Sequence, residues 1–95
     1  MDGASVRREA ERLVLAGRLD RQAATALWPQ ALAAAAGAEV LDLAQAESVD
    51  SAGLAMLVAL AARMRHPVIE GTPAGYEDLR TAYRLAPTLS FDAGQ

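Results

Sequence analysis

The chain has 95 residues, 53% of them hydrophobic, a net charge of −3 and no cysteine. That length suits one domain with an adequate core, the apolar content excludes a disordered chain, and the lack of cysteine excludes a disulfide framework or a thiolate metal site. All nine basic residues are arginine, scattered among twelve acidic ones, and with no basic run to engage phosphates the chain is not expected to take a nucleic-acid partner.

Residues 2–10 are polar and mixed, and fit either an edge strand or a frayed end. Leu13-Val14-Leu15-Ala16, closed by Gly17, reads as a strand. Asp20 then fits the N-cap of a helical segment from Arg21 to Ala36, in which Ala24, Leu27, Trp28, Ala31, Ala34 and Ala35 share one broad side. Pro29 lacks a backbone donor and crowds the preceding turn, so the pattern predicts a kink there or a helix that begins at Pro29. Trp28, the only tryptophan, reads as a core anchor, and Gly37 as the helix C-cap.

Val40, Leu41 and Leu43 form a run too short for a helix, and read as a buried strand followed by a polar loop over Ala44–Val49. Asp50 and Ser51 are residue types that accept from the free N–H groups of a first helical turn, and Gly53 permits close backbone approach. Leu54, Leu57, Val58, Ala61 and Met64 then follow the i, i+3, i+4, i+7 spacing of a core-facing helix stripe. Opposite that stripe lie Ala52, Met56, Ala59 and Arg63, with Ala55 and Leu60 on the flanks. This face is expected to meet water, yet it is small or apolar, which suggests a docking surface with a rim arginine. The alternative is a helix buried all round by its own domain.

Arg63, Arg65 and His66 place positive charge at the helix C-terminus, where it complements the dipole. His66, the sole histidine, has no partner motif for a metal site and reads as structural or solvated. Val68-Ile69 is a third strand, ended by Glu70-Gly71. Thr72-Pro73 fits an N-cap and first helical position, which predicts a helix from Pro73 to about Ala86 with Tyr76, Leu79, Tyr83 and Ala86 on one face and Pro87 as its stop. Thr88–Gln95 reads as a loose tail, with Leu89 and Phe91 resting on the body.

Strands and helices therefore alternate, which argues for one α/β domain with a mostly parallel sheet and right-handed crossovers. The longest apolar stretch, Ala52 to Ala62, is far short of the roughly 20 residues that span a bilayer. Met1-Asp2-Gly3 leads into the charged Arg7-Arg8-Glu9, unlike a signal peptide. A cytoplasmic protein without direct membrane insertion is expected.

No Gly-rich phosphate loop, paired metal-ligand motif or Cys/His couple is present. Ser51, His66 and Asp50 supply the residue types of a hydrolytic triad, but Ser51 and His66 sit at opposite ends of one helix, roughly 20 Å apart at 1.5 Å per residue. Asp20, Asp42 and Asp50 are expected together at the carboxyl ends of parallel strands, as helix caps and loop supports. A non-enzyme without cofactor or metal follows.

The run LDLAQAESVDSAGLAMLVAL resembles the central signature of the STAS family, the domain of sulfate transporters and anti-sigma factor antagonists. Asp42-Leu43, Asp50-Ser51, Gly53 and Leu54 match that signature, and Gly17-Arg18-Leu19-Asp20 resembles the strand end that precedes it. The resemblance covers roughly residues 10–86 and implies a four- or five-stranded, mostly parallel sheet flanked by helices. Within the family, Leu27-Trp28, Val49–Ala55 and the Leu79–Leu85 helix before Pro87 look most like the MlaB-like branch, small STAS subunits of a bacterial phospholipid (Mla) transporter. That implies an ABC ATPase (MlaF-like) within a permease complex as partner, and a role in outer-membrane lipid asymmetry. The partner would be met through Ser51, Ala52, Ala55, Met56, Ala59 and Arg63, with Asp20, Asp42, Asp50 and Gly53 supporting the motif. The antagonist branch implies instead that a partner-switching kinase phosphorylates Ser51. Antagonists usually carry Ser or Thr where this chain has Ala52, and the transporter subunits usually have threonine at the Ser51 position. A third reading, a small-molecule sensor, finds no Gly-rich cradle in this chain.

Overall fold

A hairpin opens the chain: β1 (Ser5–Glu9) runs antiparallel to β2 (Arg12–Leu19), with Val6 opposite Leu15. The structure, a computed structural model, describes residues 3–65 and 67–90. The remaining elements are α1 (Arg21–Ala35), β3 (Val40–Val49), α2 (Ser51–Ala62), β4 (Val68–Glu70) and α3 (Tyr76–Ala82). Ser5–Glu9 thus forms an edge strand rather than a frayed end. His66 and Phe91, named above, lie outside the described residues.

The four strands lie in the order β1-β2-β3-β4, with β2, β3 and β4 parallel. Both crossovers, β2-α1-β3 and β3-α2-β4, step the same way across the sheet, so right-handedness puts both helices on one face. α1 packs against β1, β2 and α2, and α2 in turn contacts α3. Strand periodicity supplies the core beneath them: Leu13, Leu15 and Leu19 of β2 and Leu41 and Leu43 of β3 are all buried. Leu54, Leu57 and Leu60 of α2 meet them from above, and Ala31 and Ala35, both fully buried, let α1 approach closely.

Three local features differ from the sequence expectations, the first and third through a non-local contact. First, Ala44–Val49 is strand, not loop: Gln45, Ala46, Ser48 and Val49 pair with Ala16, Gly17, Arg18 and Leu19 of β2. A neighbouring ladder holds these polar residues extended despite their low strand propensity. Second, of the two expectations for Pro29 the restart is not realised, since α1 runs through it as one helix. Pro29 is exposed, and so is Thr25 one turn earlier, so water can satisfy the carbonyl that the ring deprives of a donor. At the far end of α1, Gly37 takes a left-handed φ of 81°. Arg8, reaching across from β1, donates through Nη1 to the carbonyls of Ala34 (2.8 Å) and Ala36 (2.7 Å). Third, α3 starts at Tyr76 behind Gly75, not at Pro73 behind Thr72. Residues just before it are used by the sheet: the Val49 N–H donates to the Ala74 carbonyl (2.9 Å) and the Ala74 N–H to the Glu47 carbonyl (3.2 Å). The turn out of that bridge needs Gly75 at φ 85°, where a Cβ would lie 2.6 Å from the Val49 carbonyl oxygen. α3 ends at Ala82, and Leu85 and Leu89 beyond it are buried in the core.

Tyr76 is 3% exposed, and its hydroxyl has no hydrogen-bond partner among the described residues. Burial raises its pKa, because the phenolate would lose its hydration. An unpaired buried hydroxyl is a cost that a phenyl ring avoids. Tyr76→Phe is therefore expected to leave the fold intact and raise the unfolding free energy by about 1 kcal/mol, read by urea titration. A loss of stability would mean that the hydroxyl is satisfied.

Candidate functional site

Two strand ends and two helix starts meet at one corner of the sheet. β2 and β3 finish side by side, with Leu19 paired to Val49, and each passes directly into a helix through an aspartate. Asp20 Oδ1 accepts from the Ala23 N–H (2.9 Å), and Asp50 Oδ1 accepts from the Gly53 N–H (2.8 Å). Both are N-caps, and both add negative charge at the positive end of a helix dipole. The Asp50 N–H also donates to the Leu19 carbonyl (3.2 Å), so the start of α2 is tied to the end of β2.

Gly53 makes that tie possible. A Cβ at Gly53 would stand 1.8 Å from the Leu19 carbonyl oxygen and 2.7 Å from its carbon. Backbone lies against backbone there, and neither can move aside without breaking a strand or a cap.

Asp20 and Asp50 share a shallow cavity lined also by Arg21, Gln22, Thr25 and Ala26. Asp42 does not join them. Because β3 continues to Val49, Asp42 sits near its beginning, at the other end of the sheet. Its Oδ1 accepts from the Ala44 N–H (3.0 Å), and its Oδ2 accepts from Arg12 Nη2 (3.0 Å) and Nε (3.2 Å). Arg12 also pairs with Glu70 of β4, so one guanidinium links three adjacent strands. The Ala44 N–H, with help from Arg12, holds the Asp42 carboxyl below its usual range, against the opposing effect of burial. The expected gathering of three aspartates is thus corrected to a pair, and Asp42 is a sheet fastener.

Each aspartate of the corner is engaged as a cap, and among the described residues no cluster of His, Asp or Glu side chains is placed to hold a metal ion. What the corner offers is a surface. Ser51, the first residue of α2, is exposed, as are Ala55 and Ala62, while Val58 is half-buried. Leu54, Tyr83 and Leu85 complete an apolar groove of about 280 Å³ with Ser51, Ala55 and Val58. Tyr83 is 51% exposed at its edge.

This face overlaps only in part with the one expected from sequence: Ser51 and Ala55 are on it. Met56 is 4% exposed and belongs to the core, because α1 packs on that side of α2; its place on an open docking face is corrected. Ala52 and Ala59 are half-buried. Arg63 is exposed, with its guanidinium 5.7 Å from the centre of the Trp28 ring, a cation–π contact between the end of α2 and α1. Trp28 itself is partly buried against the core. The open face keeps Ser51 and Ala55 and turns from the Ala52–Met56–Ala59 side toward Ala62. Between Ser51 and Arg63 the helix has no polar residue, so its sequence carries no contrast to mark which side stays open. Val58 and Tyr83 were missed as surface residues for the same reason: their apolar character reads as core, where Leu85 beneath the groove does lie.

The fold is a small α/β layer whose second helix opens on an exposed serine and carries an exposed apolar edge. The chain matches the family described as Mlab, STAS domain, over residues 3–86. It belongs to the STAS family, and is MlaB-like within it. No individual curated protein matches it. Among the described residues no helix is long and apolar enough to cross a membrane.

Two consequences can be measured. Gly53→Ala is expected to cost about 3 kcal/mol of stability, since the methyl group meets backbone that cannot yield; urea unfolding followed by circular dichroism reads this, and a loss under about 1 kcal/mol would show that the junction can open. Asp42, with its folded pKa depressed, contributes stability that is complete above its unfolded value of about 4 and is lost as pH falls through the folded value. The unfolding free energy should decline below that pH, and Asp42→Asn should be less stable at pH 7 with a shallower acid limb.

Proposed function

We propose that this STAS domain is a non-catalytic subunit that binds the ABC ATPase of an Mla-type phospholipid transporter and supports its assembly and activity. Its contact surface is the exposed edge of α2, Ser51 and Ala55, together with Val58, Tyr83 and Leu85 of the adjoining groove. Support comes from that open apolar edge in an MlaB-like chain. Small side chains along α2 allow a partner helix to approach closely, and Tyr83 supplies an aromatic anchor of the type enriched at interfaces. Ala52, Ala59 and Arg63 border the contact, and Met56 acts from beneath by fixing α2 against α1. The protein would be held at the inner membrane through its ATPase and permease partners, and would serve outer-membrane lipid asymmetry.

A second reading rests on the exposure of Ser51 at the first position of a helix. A kinase could reach its hydroxyl, and a phosphate there would add close to two negative charges to an apolar docking edge and expel a partner. That is the behaviour of an anti-sigma factor antagonist.

Recovery of tagged protein from its own cells, with mass spectrometry of what accompanies it, separates the two. An ABC ATPase with a membrane permease supports the transporter reading; a small serine kinase, with phosphate on Ser51, overturns it. Ser51→Asp and Ala55→Arg are each expected to lower ATPase recovery at least about tenfold, or about 1.4 kcal/mol of binding. Unfolding midpoints should stay near the parent's, and Ala33→Arg on the exposed side of α1 should bind normally. Undiminished recovery with both α2 variants would reject this surface.

A further inference from the structure

We draw no further inference here: the strongest candidate, the apolar cavity of about 740 Å³ at the C-terminal end of α2 between Val58, Ala62, Met64, Val68 and Leu89, carries nothing because nothing in the structure shows what covers it.

Discussion

The contact between Gly53 and the Leu19 carbonyl is the constraint on which the rest of this domain depends. It joins the end of one strand to the start of the helix that follows its neighbour. Asp50 completes the joint in two directions, with its N–H on Leu19 and its carboxylate on the Gly53 N–H. A side chain at Gly53 would separate these elements and lift the first turn of α2 from the sheet. The aspartate, the serine and the glycine therefore form one structural unit: the cap starts the helix, the glycine lets it lie flat, and the serine is left facing outward.

From that junction α2 is committed on most of its circumference. The sheet takes Leu54, Leu57 and Leu60, α1 covers the Met56 side, and α3 with the segment after it closes part of another. What remains is a narrow edge from Ser51 through Ala55 to Ala62. The edge is apolar beyond Ser51. It is also open, because α3 ends at Ala82 and Tyr83 is turned outward. A partner with an apolar surface would remove this edge from water at little conformational cost, since alanine and valine have few rotamers to lose.

The opposite end of the sheet is held differently. Arg12, Asp42 and Glu70 tie three parallel strands by charge, and Arg8 supplies to the carbonyls at the end of α1 the donors that the helix's own last turn lacks. These arginines come from the hairpin, far from their partners in sequence. The hairpin is thus more than an edge: it fastens α1 in place, and α1 in turn decides which side of α2 is buried.

Much of the architecture was legible in the residues. Capping aspartates, the Leu13–Ala16, Val40–Leu43 and Val68–Ile69 runs and the α2 stripe are local signals, and local hydrogen bonding or side-chain spacing is enough to produce them. The alternation of elements then implied a parallel sheet, and the match of Asp42-Leu43, Asp50-Ser51 and Gly53-Leu54 implied the family. Tertiary structure decided what local signals do not encode. It made Ala44–Val49 a strand by offering the β2 ladder, delayed α3 by using Ala74 in the sheet, and took Asp42 away from the other two aspartates by lengthening β3. It also chose the open face of α2. That helix is apolar all round, so only the positions of α1 and α3 could determine that Met56 goes inside and Ser51 and Ala55 stay out.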